Sequence, residues 1–145
     1  LSEKYLERVI QAKSGRLTRS DIGTFNRLGI VLKKQGKWKK AIEYYNKALT
    51  VAPDDEGLHY NMGMAHFDGG DTAAAARDFD QALRLAPDFY RGNATVSKNL
   101  GNVYFGQGEP GRAEAFFRAA LEADPDHDEA RRMLARIEDV RAGAG

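Results

Sequence analysis

The stretch FNRLGIVLKKQGKWKKAIEYYNKALTVAPDD, residues 25–55, decides how the rest of the chain is read, because the chain repeats it. HYNMGMAHFDGGDTAAAARDFDQALRLAPDF (59–89) and SKNLGNVYFGQGEPGRAEAFFRAALEADPDH (97–127) align beneath it without a gap. Glycine recurs at Gly29, Gly63 and Gly101, and alanine at Ala41, Ala75 and Ala113. An aromatic follows at Tyr45, Phe79 and Phe117, a second alanine at Ala48, Ala82 and Ala120, and a closing proline at Pro53, Pro87 and Pro125. A fixed set of columns at a fixed period is the mark of a repeat architecture.

The columns have a physical reading. Apolar and small residues recur at steps of three and four on both sides of a central QG, GGD or QGEPG, which predicts two amphipathic helices joined by a tight glycine turn. Glycine and alanine at the crossing let two backbones approach, and the aromatic wedges against them. Proline ends the second helix because it cannot donate and disfavours helix in the residue before it. The acids that follow cap the next helix, and Pro110 stands where a first helical turn tolerates proline.

This arrangement resembles the tetratricopeptide repeat family, whose 34-residue unit carries an aromatic, Leu-Gly, Tyr, Ala, Phe, Ala and Pro at these offsets. The resemblance covers residues 22–127. It implies an all-α fold, an α-solenoid of helical hairpins wound as a right-handed superhelix, with flanking N- and C-terminal helices. Pro53 to Pro87 spans 34 residues and Pro87 to Pro125 spans 38. The four extra residues, around YRGN (90–93), amount to one helical turn, so the first helix of the third repeat is expected to begin early. The first-helix aromatic is Phe25 in repeat one but His59 and Ser97 in the others, so the filling differs there.

The expected organisation is one domain over 1–145: an N-terminal helix at 2–13, repeats at 22–55, 56–89 and 90–127, and a capping helix at 128–141. In the N-terminal helix Tyr5, Leu6, Val9 and Ile10 are expected to face inward, with SGRLTRS (14–20) breaking it. In the capping helix Asp126 and Glu129 form a capping box, Ala130, Leu134 and Ile137 share one face, and arginines occupy the rest. Such a helix solvates the end of a stack.

Composition narrows the function. With 42% hydrophobic and 30% charged residues over 145 positions, the chain is an ordinary folding sequence. It has no cysteine, which removes disulfides, thiolate metal sites and cysteine nucleophiles. No apolar run reaches bilayer length and no secretory signal pattern opens the chain, so a cytoplasmic location is favoured, although a chain starting at Leu1 reads as a fragment of something longer. Residues 1–50 hold twelve Lys or Arg against four Asp or Glu, and 51–145 hold ten against seventeen, so a net +1 hides a +8 front and a −7 back.

Candidate sites are weighed against packing. KKQGKWKK (33–40) sets five lysines around Trp38, the composition of an anion-binding groove. The alignment instead puts Gly36 at the hairpin turn and Trp38 at the second helix's start, with the lysines at 37, 39 and 40 facing solvent. Nucleic acid is an unfavoured partner, since no binding motif accompanies the charge. His59 and His66 share a helix face but stand in columns of packing aromatics, and His127 is alone, so no metal is expected. DDE (54–56) and DFD (78–80) read as caps and an outer face, and GNVYFGQG (101–108) lacks the Lys-Ser/Thr of a phosphate loop. NAT (93–95) matches a glycosylation acceptor by accident. No catalytic set and no cofactor is expected.

The resemblance therefore carries the functional expectation: a non-enzymatic adaptor or scaffold whose first helices line a concave groove for a peptide or helix of a partner protein. Matched positions give Asn26, Ile30 and Lys33 from repeat one and Tyr60, Met64 and Phe67 from repeat two. Repeat three supplies Lys98, Asn102 and Phe105, and the capping helix Arg132 and Arg136. Of the family's two-carboxylate clamp only Asn61 matches; Asn26, Ile30, Thr95 and Asn99 stand at the other places, so that clamp is not expected. A different anionic contact through Lys98, Asn102, Arg132 and Arg136 is open. The alternative is a self-assembling scaffold that oligomerises through its basic and acidic halves.

Overall fold

A computed structural model describes residues 3–12 and 18–144. The ends of the expected N-terminal helix at 2 and 13, and the first part of the break after it, lie outside the described residues, as does the side chain of Ile10. The helices are α1 (Glu3–Ala12), a short 3-10 turn (Arg19–Asp21), α2 (Ile22–Lys34), α3 (Trp38–Val51), α4 (Glu56–Asp68), α5 (Thr72–Leu85), α6 (Ala94–Gly106), α7 (Pro110–Ala123) and α8 (Asp128–Ala144). The chain divides into two compact units, Leu1–Pro87 and Asp88–Gly145.

Each hairpin closes the same way. The turn glycines Gly36, Gly70 and Gly108 have φ of 78°, 84° and 76°, a left-handed conformation that glycine adopts without a Cβ penalty. The next residue's N–H then reaches back to the last turn of the first helix, Lys37 to the Leu32 carbonyl, Asp71 to that of His66 and Glu109 to that of Tyr104, at 2.8, 2.9 and 3.0 Å. This bond satisfies carbonyls the helix end would orphan. Asp55, Asp71 and Asn93 cap α4, α5 and α6 by accepting from Leu58, Ala74 and Val96 N–H groups.

In the first unit the hairpins α2/α3 and α4/α5 bury Phe25, Leu28, Leu32, Ala41, Tyr45, Leu58, Ala75 and Phe79. At the crossing a Cβ on Gly29 would stand 2.4 Å from the Tyr45 ring, and one on Gly63 2.5 Å from that of Phe79. α1 packs on α2 through Leu6, 1% exposed, while Tyr5 is 53% exposed and Val9 half-buried. Tyr5 was expected inward; it points out while Leu6 is fully buried, since a helix turns only one stripe toward the elements it packs on.

The second unit is the hairpin α6/α7 with α8 on α7. Leu100, Val103, Tyr104, Phe117, Ala130 and Ile137 are its buried centre. Two expectations are corrected here. α6 does not begin early: it starts at Ala94, where the alignment alone would place it, because Gly92 takes φ 80° and Asn93 caps the helix. The four extra residues form turns instead, with Arg91 N–H bonded to the Asp88 carbonyl and Asn93 N–H to that of Tyr90. The Tyr90 ring meets Phe116 edge-on at 4.9 Å, and Ser97 Oγ donates to the Tyr90 carbonyl, filling the place an aromatic holds in repeat one. α8 begins at Asp128 with His127 before it, whose Nδ1 accepts from the Ala130 N–H at 3.1 Å; Asp126 instead donates its N–H to Asp124. The imidazole preempts the predicted capping box.

Candidate protein-interaction faces

The side chains expected to line a groove fall on the first helices of the hairpins and on α8. In the first unit they run along α2 and α4. Asn61 Nδ2 donates to Asn26 Oδ1 at 2.6 Å, linking one end of the two helices. At the other end Lys33 Nζ stands 3.8 Å from Asp68, so this cation is already paired. Between them Ile30 is 38% exposed and Met64 and Phe67 are half-buried. Ile30 opens on a depression of about 200 Å³ lined also by Leu6, Arg27 and Val31. Tyr60 stacks on Phe79 at 5.3 Å, within its own hairpin, which makes it a packing residue as much as a surface one. This face is largely apolar, with Lys33 paired and Arg27 exposed at the edge of the depression.

The second unit's face, on α6 and α8, differs in kind. Lys98 Nζ pairs with Glu129 at 3.3 Å. At the opposite end the Arg136 guanidinium lies over the Phe105 ring, 5.4 Å from its centroid. Asn102 is half-buried and Arg132 exposed. Arg132 and Arg136 meet no carboxylate among the described residues, so two positive charges remain uncompensated. An arginine laid on an aromatic keeps its in-plane donors available for a planar acceptor.

The basic turn has structural work. Lys37 Nζ bonds both Glu3 oxygens, at 3.3 and 3.1 Å, and Lys40 pairs with Glu3 and Glu7, so two lysines expected to face only solvent hold α1 in place. The Lys37 bond holds the Glu3 carboxyl below its ordinary range, and the bond to Glu7 raises the Lys40 ammonium. Lys39 lies 5.5 Å over the Trp38 ring. The indole in turn covers Gly69, where a Cβ would meet it at 2.5 Å. Trp38 thus joins the α2/α3 hairpin to the turn of the next one.

His59 Nε2 sits 2.9 Å from the Pro53 carbonyl, and His66 Nδ1 2.6 Å from Asp78 Oδ2. Asp78 is therefore turned inward and not on a solvated outer face, and burial raises its carboxyl above the ordinary range against the lowering pull of His66. Among the described residues no cluster of three His, Cys, Asp or Glu could hold a metal, and no helix is long and apolar enough to cross a membrane. Sequence reasoning did not single out Asp68, Arg27 and Val31, and gave Glu129 a capping role and not its pairing with Lys98. Their signal was register, since each lies on the exposed side of a helix beside a chosen residue, but only the packed structure says which neighbouring helix it meets.

The chain belongs to the tetratricopeptide repeat family: models of that repeat match residues 23–55 and 66–137. Among similar proteins is the human protein O-mannosyl-transferase TMTC3, 25% identical over 126 residues, which are 79% of this chain and 14% of that protein. The chain thus spans a small part of the curated relative's length. Among solved structures, the first TPR of Spaghetti (RPAP3) bound to the HSP90 peptide SRMEEVD has 24% identity and a TM-score of 0.73, over 85% of this chain and 94% of that one. MamA has 20% identity and a TM-score of 0.79, over 97% of this chain and 77% of that one. The likeness places the eight α-helices among tetratricopeptide-repeat α-solenoids.

Proposed function

We propose that the chain is a non-enzymatic protein-interaction module that holds a peptide or helix of a partner protein against the first helices of its hairpins. The observation that carries this reading is the apolar face of the first unit, where Ile30, Met64 and Phe67 stay partly open although each hairpin already has a closed core. Apolar side chains that a fold does not need for packing are characteristic of contact surfaces. The Spaghetti complex supports the reading by fold likeness, since that domain holds a peptide.

Asn26, Ile30, Lys33, Tyr60, Met64 and Phe67 form the contact surface of the first unit. Lys98, Asn102, Phe105, Arg132 and Arg136 form that of the second, where the free guanidinium groups suit an acidic stretch of the same partner. Tyr60 contributes less than its exposure suggests, because its ring is held by Phe79.

The test is photocrosslinking from position 30 or 64 in the native lysate, with peptide mapping of the captured protein, followed by titration of the mapped peptide. Phe67→Ala and Ile30→Ala are expected to weaken binding by about 1 to 3 kcal/mol each with the helical spectrum intact. Unchanged affinity in both variants would rule out the α2/α4 face as the site.

A further inference from the structure

Each of the two units carries a surface that fits one on the other unit of a second copy. On the second unit, α7 and α8 leave a depression of about 300 Å³ between them, lined by Leu121 and Leu134 with Arg118 and Glu122 at its edge. Both leucines are half-buried, and Val140 on α8 is 47% exposed. The rim is acidic. Residues 119–130 contain Glu122, Asp124, Asp126, Asp128 and Glu129 and no lysine or arginine. Glu129 is taken by Lys98, Asp128 stands 4.0 Å from Arg131 and Glu122 feels the charge of Arg91, while Glu138 and Asp139 have no ion-pair partner among the described residues. Arg118, the one cation at the depression, is bound to Glu114 at 2.8 Å.

On the first unit, α1 presents the converse. Its two acids are consumed inside the first unit by Lys37 and Lys40. What α1 shows to solvent is Lys4, Tyr5 and Arg8, all exposed, with Tyr5 at 53%. Lys4 and Arg8 lie one helical turn apart with the tyrosine beside them. Neither cation has a carboxylate partner among the described residues.

We propose that the α7–α8 face of one copy receives α1 of a second copy, with Tyr5 on the Leu121–Leu134 depression and Lys4 and Arg8 against Glu122 and Glu138, so that copies associate head to tail. Joining different surfaces gives a heterologous contact, through which copies add in rings or in open series. The interface is small and its charges lie at the rim, so it is weak and strongly screened by salt. It uses the outer side of α1, whereas Leu6 on the inner side lines the Ile30 depression of the proposed partner face.

The experiment is sedimentation equilibrium of the whole 145-residue chain across protein concentration and sodium chloride. Average mass is expected to rise with concentration at low salt, and the association constant to drop tenfold or more at high salt. K4E/R8E and E122K/E138K should each remain monomeric with unchanged circular dichroism, because each sets like charges at the contact. Mixing the two in equal amounts restores opposite charges at both contacts and should restore association. A chain monomeric at every salt and concentration, reversed variants that still associate, or a mixture that does not reassemble would each overturn the proposal. Peptide affinity measured on the monomeric variants would be unaffected, so this failure is separable from failure of the binding reading.

Discussion

Gly63 has nowhere to put a methyl group. A Cβ would stand 2.5 and 2.6 Å from Phe79 ring carbons and 3.3 Å from the Ala75 carbonyl oxygen. Gly63→Ala is therefore expected to cost about 1 to 3 kcal/mol by overpacking, read as a lower midpoint in urea with an unchanged m-value. His66 and Asp78 pose the opposite case. The corresponding columns hold Leu32 with Tyr44 in the first hairpin, and Tyr104 stacked on Phe116 at 5.4 Å in the third. Replacing a largely desolvated polar pair by apolar residues is often stabilising, and the double change His66→Leu with Asp78→Leu should raise stability by about 1 kcal/mol. The gain sits low in the usual range because the side chains keep 21% and 18% of their exposure. The Asp78 carboxyl is raised in the folded state, so the folded state holds that proton more tightly. Its contribution is favourable below the ordinary carboxylate range and is lost as pH rises through the elevated value. Asp78→Asn should flatten that slope between pH 4 and neutrality in thermal melts, and a slope identical to wild type would assign it to other groups.

Among the contacts that hold α1 are the buried Leu6 and the ion pairs of Glu3 and Glu7. The Glu3 carboxyl is lowered in the folded state, so its contribution is present above the ordinary carboxylate range and lost as pH falls through the depressed value. Glu3→Lys with Glu7→Lys should release α1, seen as faster amide hydrogen exchange over residues 3–12 while α2 to α5 keep their protection. Adding Lys37→Glu and Lys40→Glu should restore protection; failure to do so would show that Leu6 alone seats the helix. α8 matters in a different way, because Ala130 and Ile137 are fully buried against the α6/α7 unit. Removing residues 128–145 exposes that seam and should lower the melting temperature or cause aggregation. An equal melt would mean that α7 closes the unit without it.

At the scale of the whole molecule the charge polarity and the binding faces make separate demands. Converting lysines 37, 39 and 40 together would disturb α1 as well as the field, since Lys37 and Lys40 are structural. Lys34 and Lys39 have no carboxylate partner among the described residues, and Lys34→Gln with Lys39→Gln tests the field alone. That variant should slow partner association and flatten its salt dependence, whereas Phe67→Ala should speed dissociation. Stopped-flow or surface-binding rates separate the two effects. A loss of binding confined to the lysine variant would move the site to the turn.

The sequence by itself determined the class of fold, because each part of the repeat is a local rule with a local cause. Glycine at the turn permits the left-handed backbone, proline stops the second helix, and small residues at fixed offsets let helices cross at Tyr45, Phe79 and Phe117. Helix spacing also placed the candidate side chains on first helices. Only the tertiary structure decided which of them are free. Lys33 and Lys98 are paired by residues of a neighbouring helix, Asp68 and Glu129, and Lys37 and Lys40 of the basic turn by glutamates more than thirty residues away in sequence. An ion pair, a ring stack such as Tyr60 on Phe79, or a turn propped by Tyr90 against Phe116 depends on distances between segments. Periodicity fixes a side chain's direction around its own helix, and the packing of one helix on another fixes what it meets.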